Sequence, residues 1–203
     1  LVYGYTGHTW FLYNAAPAHQ LDPAFFPVTG SLGAPTVQFR YAAQINAELE
    51  NLGRSITQLT STDVRYVPLI SFIRPARTQL WTPGAGNDPY LANVSSSAAD
   101  LALGFFVDSA GDTYLLAQNV NHRAGTFPVG NRNRTTLTLS FDFAGAPTSI
   151  DRDALQTLDR TTGQVRRLSL SQGAAAQRTL TLDLEAGDPV LLKYSTGSPF
   201  AFR

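Results

Sequence analysis

The acidic side chains are the first candidates for acid–base chemistry, because paired carboxyl groups serve as general acids, bases and nucleophiles. Only three Glu are present: Glu48, Glu50 and Glu185. Glu48 and Glu50 lie two residues apart in a segment with helical periodicity, so their side chains point to different sides and cannot face one substrate together. Glu185 precedes a predicted turn. We therefore expect solvent-facing or structural roles for all three, and we predict no catalytic residue in this chain.

Three aromatic side chains are candidates for carbohydrate binding, because the face of an indole or phenol ring packs well on the apolar face of a sugar. Trp10 lies in an apolar segment, and Trp81 and Tyr90 lie in a long stretch rich in Pro and Gly. Each also has a structural alternative. Trp10 can belong to a core, and Trp81 and Tyr90 can fill the seam between two sheets. We predict that these three residues bind carbohydrate, with the structural alternatives left open.

The residues that could hold a metal ion are sparse. Cys is absent, which excludes thiolate zinc sites and disulfides, and the three His (His8, His19 and His122) are scattered. Asp108 and Asp112 flank a predicted hairpin turn and could offer oxygen ligands to Ca²⁺, although turn chemistry alone explains Asp at such places. We predict no metal site and no cofactor, with Ca²⁺ as the one alternative.

The charge balance argues against several classes of partner. Fifteen basic and fifteen acidic residues cancel, so no field gathers nucleic acid or an anionic membrane. No apolar run reaches the roughly 18 residues of a membrane helix. We therefore predict no nucleic acid and no membrane among the partners. The absence of Cys leaves the redox compartment open, and we favour an extracellular or periplasmic location. Met is absent, so we expect Leu1 to begin a processed or excised piece of a longer chain.

The secondary structure predicted to position these side chains differs between the first part of the chain and the rest. Residues 8–13 read as a buried strand, and Thr36–Leu52 read as an amphipathic helix with Thr36 as its cap and Gly53 in the left-handed position after its end. The apolar face of this helix is formed by Tyr41, Ile45, Leu49 and Leu52.

Beyond residue 57 the hydrophobic period is two, which is typical of strands with one buried face. We read residues 74–100 as a long loop. The predicted strands are 64–67, 101–108, 113–120, 136–143, 154–159, 164–170, 178–184 and 189–194. The predicted fold is mainly β: an antiparallel β-sandwich of about 7–9 strands, preceded by one strand/loop segment and one amphipathic α-helix. The predicted division is a strand and helix segment at 1–56 and a β-sandwich accessory domain at 57–203.

Several short motifs give the chain a resemblance to a known family. Residues 4–13 (GYTGHTWFLY) and 44–53 (QINAELENLG) resemble the last strand and last helix of a (β/α)8 glycoside hydrolase. The later part resembles the small β-sandwich that follows the barrel in such enzymes. The segments that carry this second likeness are GFFVD at 104–108, YLLAQN at 114–119, LDRTTG at 158–163 and LEAGDPVLL at 184–192.

The resemblance implies that the reactive carboxyl groups belong to a part of the protein outside this sequence. Glycoside hydrolysis uses two carboxyl groups about 5–5.5 Å or roughly 6.5–9.5 Å apart, and in barrels they sit at the C-terminal ends of strands. Similar enzymes place an aromatic sugar platform near the position of Trp10. We therefore expect a non-catalytic C-terminal accessory module of a glycoside-hydrolase-like protein, which supports carbohydrate binding or hydrolysis. Its expected partners are a polysaccharide or oligosaccharide and a (β/α)8 catalytic domain or chain.

Two other functions remain open from the sequence. The chain could be a stand-alone carbohydrate-binding module whose platforms are Trp10, Trp81 and Tyr90. It could also be a structural sandwich whose N-terminal segment docks on a second chain. Both alternatives use the same predicted fold, so only the placement of the aromatic side chains and of the helix can separate them.

Overall fold

A computed structural model describes residues 37–69, 78–121 and 134–202 of the chain. Within these ranges one helix, α1 (Val37–Ile56), precedes the strands, and a 3-10 turn spans Ala85–Asn87. The strands are β1 (Thr60–Val67), β2 (Gln79–Leu80), β3 (Leu91–Ser96), β4 (Leu101–Val107), β5 (Thr113–Asn119), β6 (Thr135–Asp142), β7 (Ala154–Leu158), β8 (Val165–Ser169), β9 (Ser171–Gln172), β10 (Gln177–Leu184) and β11 (Pro189–Tyr194).

The strands form two sheets. The larger sheet has seven strands in the order β2-β1-β4-β5-β11-β7-β8, and the smaller has four in the order β3-β6-β10-β9. Neighbouring strands are antiparallel except for the short parallel pair of β1 and β2, in which Arg65 lies opposite Gln79. The predicted mainly-β, sandwich-like fold with one preceding helix is confirmed.

An inner core joins the two sheets. Strand β6 alternates between buried and partly exposed residues, so that Leu137, Leu139 and Phe141 point inward and Thr136 and Thr138 face outward. The inward residues pack against side chains from the larger sheet. This is the period-two pattern that the sequence shows at 136–143, and the structure confirms it.

The larger sheet is covered on its second face as well. Strand β4 is buried on both faces, because Leu103 and Phe105 join the inner core while Ala102 and Phe106 join a separate outer core. The outer core also contains Leu52 and Ile56 of α1, together with Tyr114, Leu116, Leu158, Leu191 and Phe200. The fold is therefore layered as small sheet, large sheet and helix, and the last two turns of α1 supply part of the third layer.

The helix differs from its prediction at the C-terminal end. It continues through Gly53 to Ile56 instead of ending at Leu52. The prediction that Gly53 takes the left-handed conformation is therefore wrong. A Gly inside a helix costs about 1 kcal/mol relative to Ala. Burying Ile56, which is 1% exposed, offsets that cost because a fully buried Ile side chain contributes about 2–3 kcal/mol. The apolar face is also displaced, since Ile45 is 43% exposed.

The segment predicted as one long loop contains a full strand. Strand β3 (Leu91–Ser96) pairs with β6 as an edge strand, with a register shift between Leu91 and Asn93. The bulge breaks the alternation of apolar and polar residues, which is why the pattern was not visible in the sequence. The hairpin predicted around Asp108 and Asp112 is confirmed by the pairing of β4 with β5, and β7 pairs with β8 in the same way. Gly111 and Gly163 take positive φ values of 84° and 68° in these two turns.

Some predictions fall on residues outside the described ranges. The candidate strand at 8–13 and the Thr36 cap belong to this group, and the division at residue 56 stays a prediction. In the described ranges, no helix is long and apolar enough to cross a membrane.

Candidate functional site

The junction between α1 and the large sheet contains a cluster of charged and polar side chains from three elements. Arg160, in the turn between β7 and β8, lies with its Nε 3.4 Å from Glu48 Oε2 on the helix. Its Nη1 donates to Asp188 Oδ1 in the turn between β10 and β11. One guanidinium therefore links three separate elements, and we call this set of three residues the Arg160 bracket.

The second contact of the junction is made by an amide side chain. Asn51 Nδ2 donates to the backbone carbonyl oxygens of Arg160 at 2.8 Å and Thr161 at 3.1 Å. Gly163 closes the same turn with a positive φ, and a Cβ atom added there would lie 2.7 Å from Asn51 Oδ1. The turn thus fits against the helix because residue 163 has neither a side chain nor a preference against this backbone conformation.

The electrostatics of the bracket keep the arginine charged. Burial alone would lower the pKa of Arg160, but the hydrogen bond with Asp188 and the negative charges of Asp188 and Glu48 outweigh burial and raise it. Glu48 and Asp188 have side-chain exposures of 18% each, and Arg160 has 26%. A partly buried guanidinium shared by two carboxylates fixes orientation more than it adds stability. The junction therefore holds α1 to the sandwich through side chains at Glu48 and Asn51.

Trp81 and Tyr90 each pack against the inner core instead of standing free on the surface. Both are partly buried and pack against that core. The Tyr90 ring lies 5.3 Å from the Phe143 ring and 5.1 Å from the Tyr194 ring, centroid to centroid. Trp81 Nε1 is buried, and no acceptor for it is present among the described residues. These contacts favour the seam-filling role for both residues, and their role in binding carbohydrate stays a prediction.

A buried carboxyl group anchors the loop that carries these two aromatic residues. Asp88 Oδ1 accepts hydrogen bonds from the backbone N–H groups of Tyr90 and Leu91, each at 2.9 Å, and from the Tyr194 hydroxyl at 2.7 Å. Burial raises the pKa of Asp88 in spite of these hydrogen bonds, each of which lowers it. The loop is therefore fixed from inside, which is typical of a structural corner.

The two Asp residues considered for Ca²⁺ are already engaged. Asp108 Oδ1 accepts from the backbone N–H groups of Ala110 and Asp112, and Asp108 Oδ2 accepts from the Tyr114 hydroxyl at 3.1 Å. Asp112 Oδ2 lies 2.8 Å from Lys193 Nζ. Within the described ranges, no group of three or more His, Cys, Asp or Glu side chains is placed to hold a metal ion.

Acidic residues elsewhere in the described ranges also have structural partners. Asp151 pairs with Arg167, Asp153 with Arg178, Asp159 with Arg166, Asp183 with Arg134 and Asp63 with Arg65. For Asp159, hydrogen bonds from the Thr162 backbone N–H and its neighbours lower the pKa. These carboxylates therefore accept from nearby Arg or backbone donors, as turn and strand residues do.

The structure brings Trp81 and Tyr90 to the same core, and the third predicted residue, Trp10, lies outside the described residues. Sequence reasoning missed the Arg160 bracket, because its members are 112 and 28 positions from Arg160 in the chain. Two features of the sequence were compatible with this contact. Arg160 and Gly163 lie in one turn-forming segment, and Glu48 lies on an amphipathic helix that must pack on another element.

Comparison of the chain with family models, with curated proteins and with solved structures finds no match.

Proposed function

We propose that this chain is a non-catalytic accessory module of a glycoside-hydrolase-like protein, and that it holds α1 in a fixed orientation beside a (β/α)8 catalytic domain. The observation that carries the proposal is the Arg160 bracket, which joins Glu48 of α1 to Asp188 of the sandwich. A helix that merely linked two domains would not need a charged residue shared between two turns and a helix.

The exposure of α1 supports a second contact surface on the same helix. Leu52 and Ile56 near its end are buried in the outer core, whereas Phe39 and Ile45 nearer its start are 38% and 43% exposed. A helix of 20 residues is about 30 Å long, and its residues from Glu48 onward make the bracket and outer-core contacts. Phe39 and Ile45 are then available to contact a neighbouring layer, as side chains on the last helix of a barrel would be.

The hydrogen-bond and ion-pair partners of three carboxyl groups support a role other than catalysis for the sandwich. Glu48 is held by Arg160, and Asp88 and Asp112 are held by hydroxyl, amide or ammonium donors. A catalytic pair needs two carboxyl groups facing one substrate. These three carboxyl groups instead face donors of the protein itself.

Turnover assays test the proposal on the chain as it stands. We expect the purified chain to release no more chromophore from a panel of nitrophenyl glycosides than a heat-killed control does. Release above the control that survives a second purification step would overturn the non-catalytic assignment.

Affinity electrophoresis separates the accessory module from a stand-alone carbohydrate-binding module. We expect no retardation of the chain in gels that contain cellulose, xylan, mannan or β-glucan derivatives. Retardation that Trp81→Ala abolishes and Leu80→Ala preserves would instead establish the binding-module alternative. Leu80 is the matched control because it is the neighbouring apolar residue and is 45% exposed.

A further inference from the structure

The C-terminal segment Ser195–Phe202 lies against the outer core, and we call it the strap. Phe200 is 5% exposed and meets Tyr114 edge-to-face, with ring centroids 5.1 Å apart. The backbone N–H of Ala201 donates to the Tyr114 hydroxyl at 2.8 Å. Edge-to-face aromatic pairs and a satisfied tyrosine hydroxyl are features of a packed layer. The strap therefore covers the part of the large sheet that carries Tyr114.

A buried ammonium group fastens the strap. The Lys193 side chain is fully buried, and its Nζ donates to the backbone carbonyl oxygens of Ser198 at 3.2 Å and Pro199 at 2.6 Å. Nζ also lies 2.9 Å from Ser198 Oγ and 2.8 Å from Asp112 Oδ2. A buried charge without partners is strongly unfavourable. Opening the strap would remove three of these four acceptors, so strap closure and burial of Lys193 depend on each other.

The strap also contacts α1. The guanidinium of Arg54 lies 5.6 Å from the centre of the Phe202 ring, and that ring lies 5.8 Å from Phe200. Phe200 shares the outer core with Leu52 and Ile56 of the helix. The helix and the strap thus lie side by side on one face of the sheet, although they come from opposite ends of the described chain.

We propose that the strap and α1 form one conformational unit, in which opening of the strap loosens the helix on the sheet. The coupling runs from Lys193 through the strap backbone to Phe200 and Phe202, and from there to Arg54 and Leu52. A contact that opens the strap would therefore weaken the packing of α1 on the large sheet.

The chain contains its own reporter of strap opening, because Lys193 is the only lysine. An amine-reactive acetylating reagent at neutral pH should modify Lys193 slowly in the native chain and rapidly in urea. Hydrogen exchange measured by mass spectrometry on peptides from 42–56 reports the stability of α1 in the same samples, and peptides from β6 and β10 report the small sheet.

The test compares Phe202→Ala with Leu80→Ala in the full chain. Both residues are exposed apolar side chains, at 40% and 45%, so both variants should fold. We expect Phe202→Ala to raise Lys193 acetylation and α1 exchange by about two- to fivefold each, which is the effect of losing one cation–π contact. We expect Leu80→Ala to change neither rate and exchange in β6 and β10 to stay at the wild-type rate in both variants.

Two results would overturn the proposal. In the first, Phe202→Ala raises Lys193 acetylation while α1 exchange is unchanged, which would mean that the strap opens independently of the helix. In the second, neither rate changes, which would mean that Phe202 fastens nothing. Phe200→Ala provides a stronger version of the same test, and it should raise both rates further than Phe202→Ala does.

Discussion

Two isoleucines on one helix provide a controlled test of how α1 is held. Ile56 is 1% exposed in the outer core, and Ile45 is 43% exposed three turns earlier on the same helix. Replacing either with Ala removes the same atoms and changes helix propensity by the same small amount. Any difference between Ile56→Ala and Ile45→Ala therefore measures the contact of the helix with the sheet.

The expected magnitude follows from burial. Ile56→Ala removes three carbon groups at about 0.8 kcal/mol each, and the cavity left behind adds about 1 kcal/mol. The free energy of unfolding should fall by about 3 kcal/mol. Ile45→Ala should change it by less than about 1 kcal/mol, as exposed substitutions generally do.

Urea denaturation followed by circular dichroism gives both values. For a chain of this size, with an m-value of about 3 kcal/mol/M, the midpoint of Ile56→Ala should fall by about 1 M. The helix signal near 222 nm and the aromatic signal of the core should change in one transition. Equal shifts for the two variants, or a helix signal lost in an earlier transition of its own, would refute the view that α1 is part of the sandwich.

Further predictions concern the turn against the helix and the buried ion pair. Gly163→Ala should destabilise the protein by about 2–3 kcal/mol and Gly187→Ala by about 1 kcal/mol. Both glycines have a positive φ, but only a side chain at position 163 would collide with Asn51. Thermal unfolding measures both losses of stability, and equal losses would contradict this prediction. Burial would raise the pKa of Asp112, but hydrogen bonds from Lys193 and two hydroxyl groups outweigh burial and lower that pKa. The ionised Asp112 therefore stabilises the folded protein above the ordinary Asp pKa of 3.8, and this stabilisation is lost as the pH falls. Asp112→Asn should therefore cost about 3 kcal/mol at pH 7, and the wild-type advantage should shrink below about pH 4; an advantage that grows on acidification would contradict the sign.

The strands that alternate without interruption were predictable from the sequence. Apolar and polar residues alternate without interruption along strand β6, and one face of the strand lies in the core, as that pattern requires. The turns with Gly111 and Gly163 were also predictable, because positive φ is accessible to Gly at little cost. These features depend on neighbours in the sequence, so local reasoning suffices for them.

The features that depend on distant residues were not predictable. Strand β3 is defined by its pairing with β6 across a bulge, and its own residues show no alternation. The helix passes Gly53 because the sheet offers a place for Ile56. Lys193 reads as an ordinary strand residue until the strap brings the carbonyl groups of Ser198 and Pro199 to it.

The candidate site was predicted only in part. The sequence singled out aromatic residues by type, and the structure places Trp81 and Tyr90 against the inner core. The Arg160 bracket has no sequence motif, because its geometry comes from two turns and a helix that meet only in the folded chain.

Native mass spectrometry of this protein purified from its own source tests the central claim most directly. If the chain is an accessory module, its native mass should exceed the 21.9 kDa of this sequence by a (β/α)8 domain of roughly 250 residues, covalently joined or bound, and the same fraction should hydrolyse a glycoside. A free species of 21.9 kDa with no associated chain would contradict the account.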